Sequence, residues 1–171
     1  GERHSNTCFS LGMKRYLEKY IQKDLKRKII LITGPRQTGK TTLSKMLKDT
    51  YDYFNYDNAE DRLGLLEKSW DRSRELVIFD ELHKLNNWKS WLKGIYDTER
   101  IPPAIVVPGS AKLDTYKKVG DSLAGRFFQF RLHPLDVKEI HHLIDFVEAK
   151  FVVTENQEQT DKVLAVKDWL P

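Results

Sequence analysis

Three short runs along the chain are apolar at every position: Ile29-Ile30-Leu31-Ile32, Leu76-Val77-Ile78-Phe79 and Ala104-Ile105-Val106-Val107. Such runs, rich in β-branched residues and apolar on both faces, predict buried parallel strands. Tyr53-Phe54-Asn55-Tyr56 and the more alternating stretch from Phe127 to Leu132 predict two more. Between the strands the period becomes helical. Met13 to Lys28 carries Tyr16, Leu17, Tyr20 and Ile21 on one face, and a helix opening at Lys40 turns Leu43, Met46 and Leu47 inward. Glu60 to Ser69 predicts a short helix. Trp88, Trp91, Leu92, Ile95 and Tyr96 stand at i, i+3, i+4, i+7 and i+8 of a longer one, which Pro102-Pro103 closes. A last helical stretch runs up to Ala124. Strands alternating with helices over short connections predict βαβ units and an α/β fold with a mostly parallel sheet. There is no internal repeat and no low-complexity segment.

Composition narrows this picture. A length of 171 residues fits one domain of ordinary size and excludes a large multidomain enzyme. Apolar residues at 40% and charged residues at 32% leave enough bulk for one core. No stretch approaches the roughly 20 apolar residues of a membrane helix, and the N-terminus lacks the apolar region of a signal peptide. The expectation is a soluble, cytoplasmic protein without membrane contact. The single cysteine, Cys8, excludes an internal disulfide framework and a Cys-based zinc finger. A net charge of +4 permits contact with phosphates but is too small to argue for nucleic acid by itself.

The chemistry begins where the first strand ends. Gly34-Pro35-Arg36-Gln37-Thr38-Gly39-Lys40-Thr41 satisfies G-x-x-x-x-G-K-[ST] between a buried strand and a helix, where a phosphate-binding loop belongs. Gly34 and Gly39 let the backbone turn its N–H groups inward, and the start of the helix adds partial positive charge. Lys40 would bridge the β- and γ-phosphates, the Thr41 hydroxyl would ligate Mg²⁺, and the nucleotide-binding stretch extends to Thr42. Arg36 and Gln37 belong to this stretch with their side chains outward and no catalytic role. Asp80, at the end of the Leu76–Phe79 run, would hold Mg²⁺, usually through water. Glu81 would orient or deprotonate a water attacking the γ-phosphate. The competing reading of both acids is an ordinary strand end in solvent.

ITGPRQTGKTTL, VIFDELHK, the Trp-rich helix, PGSAKLD and LAGRFFQFRLHPLDVKE together resemble the archaeal-type AAA+ ATPases of prokaryotes, over about Arg15 to Glu139. In that family a P-loop domain is joined to a C-terminal domain similar to a PD-(D/E)xK nuclease fold. The resemblance implies a sheet ordered 5-1-4-3-2 and ATP with Mg²⁺ as ligands. It makes Ser110 the polar residue at the tip of the fourth strand that contacts the γ-phosphate or the attacking water. It makes Arg126 a candidate arginine finger, acting in trans within a homo-oligomer. Two departures stand out. Pro108-Gly109-Ser110 replaces the usual Thr-Gly-Ser, and proline removes a donor at the strand end. After Glu139 the chain is short: Ile144 to Lys150 resembles fragments of the nuclease-like strands, with Asp145 and Glu148 three apart in one segment. The expected organisation is an ATPase domain over 1–139 and a tail over 140–171. That tail is a remnant of a second domain or a native short helix and hairpin, with the helical lid missing. No nuclease function is carried over.

Weaker signals favour plain roles. His141 and His142 point apart on a helix, and His4 and His133 read as solvated. His83 could sense nucleotide or cap a turn. Trp88 and Trp91 read as core before base-stacking, and Lys26-Arg27-Lys28 and Lys117-Lys118 as solvated before DNA-binding. Three functions remain open: an ATPase driving a conformational cycle on an unnamed protein client, a nucleotide-dependent switch with little turnover, and a small P-loop kinase. The kinase suffers because Asp80-Glu81 suits water activation and no basic lid is visible. The switch gains because an open site encloses the γ-phosphate poorly.

Overall fold

A computed structural model describes residues 15–99, 103–110, 123–135 and 138–141. Met13, His4, Cys8, Pro102, the helix expected ahead of Ala124 with Lys117-Lys118, His142 and the tail from Ile144 lie outside the described residues. Described residues from Tyr16 to Pro134 form one compact unit. Arg15 and the described residues from Leu135 onward belong to a second, in which Arg15 Nε donates to Glu139 Oε1 at 3.1 Å, both side chains buried.

The first unit is built on a five-stranded, wholly parallel sheet: β1 (Ile29–Thr33), β2 (Tyr51–Asn55), β3 (Leu76–Asp80), β4 (Ala104–Pro108) and β5 (Phe127–Arg131). The strand order is β2-β3-β4-β1-β5, the 5-1-4-3-2 order read from the other edge. Helices α1 (Tyr16–Asp24), α2 (Lys40–Met46), α3 (Ala59–Leu66) and α4 (Trp88–Glu99) and a 3₁₀ turn at Leu82–Lys84 complete it.

The continuous apolar runs exist because both faces of the sheet are covered. Successive strand side chains alternate between faces. Ile30, Ile32, Ile78 and Val106 pack with Ile21 of α1, Leu25 just after it and Leu43 of α2. Ile29, Leu31, Phe79 and Val107 pack on the other face with Leu65 of α3, Trp70, and Leu92 and Ile95 of α4. Trp91 joins this second core, its ring 5.4 Å from Phe79 and 6.3 Å from Trp70 in edge-on contacts. Trp88 packs against it too.

Among the elements that differ from the expected bounds, α1 ends at Asp24, short of Lys28. β2 begins two residues early, because Tyr51 and Asp52 pair in register with Leu76 and Val77 although neither is apolar enough to announce an edge strand. α3 stops at Leu66, short of Ser69. Lys68 adopts φ 55, and Ser69 N donates to Gly64 O at 2.9 Å, the reversal that closes a helix end.

Candidate phosphate and metal site

In a parallel sheet all C-terminal strand ends lie on one edge, so the segments following β1, β3 and β4 converge. After β1 the chain enters the Gly34–Thr41 loop. Gly34 has φ 151, and a Cβ there would sit 2.2 Å from the backbone oxygen of Leu132, so only glycine fits. Gly39 (φ 84) and Gln37 (φ 61) are both left-handed. Thr38 Oγ1 donates to Pro35 O at 3.0 Å and ties the loop across its own turn. Pro35, Arg36 and Gln37 are exposed, as is Thr42 at the start of α2. The Lys40 ammonium folds over the loop, donating to Gly34 O at 3.1 Å and to Pro35 O. Burial lowers its pKa, against the opposing pull of Glu81 and Asp80.

Asp80, 7% exposed at the end of β3, faces α2. Its Oδ2 accepts from the Thr41 hydroxyl at 2.7 Å and from the Tyr53 phenol at 3.0 Å. Burial, with the charge of Asp80 and the hydrogen bond to it, raises the Tyr53 pKa well above its ordinary 10.0. Hard oxygen donors limited to one carboxylate and one hydroxyl suit Mg²⁺, which takes its remaining ligands from water and phosphate. Among the described residues there is no group of three or more His, Cys, Asp or Glu suited to a metal.

The next residue turns sharply. Glu81 is left-handed at φ 55, and its N–H donates to Pro108 O at 3.3 Å, tying the ends of β3 and β4 together. Pro108 keeps its place in the sheet opposite Ile32, and Gly109 N donates to Ile32 O at 3.0 Å. The β1–β4 ladder uses the Gly109 donor at this point, so the missing proline N–H does not interrupt that pairing. His83 Nε2 lies 3.6 Å from Glu81 Oε2 and 3.5 Å from Ser110 Oγ. Lys84 Nζ lies 3.3 Å from Glu81 Oε2 and also pairs with Asp57.

The signature of the AAA domain family matches residues 26–141. The chain belongs to this family, the P-loop AAA+ ATPases. An uncharacterised protein of Mycobacterium tuberculosis is 30% identical over 116 residues, covering 66% of this chain and 26% of the relative. An uncharacterised protein of Haemophilus influenzae is 23% identical over 155 residues, 77% of this chain and 38% of that one. The chain thus spans well under half the length of both relatives. Two solved structures share the fold. The Holliday junction branch migration motor RuvB of Thermotoga maritima has a TM-score of 0.54 at 18% identity, over 86% of this chain and 54% of that one. A DNA replication initiation factor has 0.51 at 20% identity, over 83% and 51%.

Arg126 lies apart from the sheet edge that carries the Gly34–Thr41 loop of this AAA domain. Its carbonyl accepts from Ile29 N at the start of β1, while the phosphate loop follows the end of β1. Five residues of strand at about 3.3 Å each put roughly 16 Å between those edges. The Arg126 guanidinium forks onto Asp97 of α4 at 2.8 and 3.2 Å and holds that carboxyl below its usual range. Two residues beside the site stand outside the motifs. The sequence alone lets His83 be a sensor or a cap, and the structure sets it beside Glu81 and Ser110. Tyr53 gives no signal except a polar tip on a strand position facing the same side as Asp80. Among the described residues no helix is long and apolar enough to cross a membrane.

Proposed function

We propose that this AAA domain binds Mg²⁺–ATP on the Gly34–Thr42 stretch and hydrolyses it to ADP and phosphate, driving a conformational cycle. The observation that carries the reading is the 2.7 Å contact between Thr41 and Asp80. It joins the phosphate loop to the strand acid through the two oxygen groups a magnesium ion would need. When bound, Mg²⁺ neutralises charge on the phosphates and aligns them. The chain's own groups do the rest. Backbone N–H groups of the loop donate to phosphate oxygens, and Lys40 leaves the Gly34 and Pro35 carbonyls to donate to them as well. Glu81 accepts a proton from the attacking water, and Ser110, with His83 beside it, orients that water or the γ-phosphate.

A second reading, a nucleotide-dependent switch with slow turnover, draws support from Arg126. Bound to Asp97 on the far sheet edge, it can reach only the γ-phosphate of a neighbouring copy, so a lone chain would turn over slowly. The two readings describe one site at two states of assembly.

Mg²⁺–ATP at about 100 times its Kd should stabilise the fold by about 2.7 kcal/mol, raising Tm by roughly 5–10 °C. A flat thermal-shift titration would rule out nucleotide binding. Glu81→Gln should abolish phosphate release and keep that Tm shift. Unchanged release would remove Glu81 as the base.

A further inference from the structure

Asp80 is held by a closed circuit of side chains from three elements. Thr41 and Lys45 lie one turn apart on the same face of α2. Thr41 donates to Asp80 Oδ2, and Tyr53 on β2 donates to the same oxygen. Lys45 Nζ sits 4.0 Å from the centre of the Tyr53 ring, a cation–π contact that returns the circuit to α2. Register explains the reach. Asn55 pairs with Asp80 and Tyr53 with Ile78, so Tyr53 is the diagonal neighbour on Asp80's own face. Both donors fall on Oδ2, which fixes the carboxylate plane and hence the direction of Oδ1.

We propose that Tyr53 is a positioning residue for the metal: its phenol locks the Asp80 carboxylate in the orientation that receives Mg²⁺. This rests on the Mg²⁺–ATP reading above. Groups that orient a metal-binding carboxylate tune metal affinity without touching the metal, and their loss typically costs 10–100-fold. Thr41 alone cannot replace Tyr53, because its hydroxyl has its own part in holding the ion. A tyrosine phenol carries its proton at neutral pH, so the donor to Asp80 Oδ2 is always present there.

The test measures ATP binding to the full chain by calorimetry, first in EDTA and then across a Mg²⁺ titration. In the parent protein ATP affinity should rise with Mg²⁺. Tyr53→Phe should leave the metal-free ATP affinity unchanged and raise the half-saturating Mg²⁺ concentration about tenfold. In an Asp80→Asn background the same change should add nothing. Tyr53→p-aminophenylalanine, which keeps ring and donor, should restore the Mg²⁺ response. An unshifted Mg²⁺ requirement in folded Tyr53→Phe would overturn the proposal. So would an equal loss of affinity with and without metal, or a Tyr53→Phe chain that fails to fold while the aniline variant folds yet needs more Mg²⁺ than the parent. A parent protein whose ATP affinity ignores Mg²⁺ would instead defeat the metal reading, and this proposal with it.

Discussion

At the scale of single residues the site divides into positions read from local sequence and positions that folding alone reveals. Gly34, Gly39, Lys40, Thr41 and Asp80 belong to the first kind, because each stands in a short local motif or at the end of an apolar run. At Gly34 the fold adds a distant constraint to the local one. With a Cβ only 2.2 Å from Leu132 O and φ 151, Gly34→Ala should cost about 1–3 kcal/mol. A thermal melt checks this, and an unchanged Tm would show that the loop can move aside. Tyr53 and His83 belong to the second kind. One meets Asp80 through strand register and the other meets Glu81 through a left-handed turn, and neither is a periodicity that a sequence displays. Tyr53 also has a pH signature. Its folded pKa is raised above 10.0, so its contribution is complete below pH 10 and is lost as alkaline pH ionises the unfolded phenol. Denaturant unfolding between pH 9 and 11 should show the parent protein losing stability more steeply than Tyr53→Phe. Parallel curves would mean that the shift is absent.

At the scale of elements, legibility followed burial. β1, β3 and β4 are covered on both faces and appear in the sequence as unbroken apolar runs. β2 is an edge strand with one buried side chain, Phe54, so hydropathy marks only part of its length. α3 owes its ends to polar contacts rather than periodicity. The Asn58 side chain accepts from Glu60 N and Asp61 N at 2.9 and 3.1 Å and caps its start. Asn58→Ala should therefore cost about 0.5–2 kcal/mol, read as a lower denaturant midpoint at unchanged slope. Asn58→Gly should cost only a few tenths.

At the scale of the whole molecule, the parallel sheet gives the Tyr16–Pro134 unit two chemically unlike edges. One carries the phosphate loop, Asp80, Glu81 and Ser110; the other begins at Arg126. On the proposed function, turnover per chain should rise with protein concentration, and Arg126→Ala should lower it by about 10³-fold or more while sparing ATP binding. An equal mixture of Lys40→Ala and Arg126→Ala chains should recover activity that neither has alone. No recovery would argue against a role for Arg126 across copies. The strand order was legible through family likeness and the strand positions through apolar runs. The spatial separation of Arg126 was not, because sequence order gives no hint that β5 starts at the far edge. A different consequence follows from the backbone at Glu81. A residue with a side chain held at φ 55 costs roughly 1–2 kcal/mol that glycine would not incur. The fold would thus be more robust with its acid deleted. Directed evolution that rewards heat resistance alone should drift towards Glu81→Gly and, on the proposed function, return durable, inert proteins.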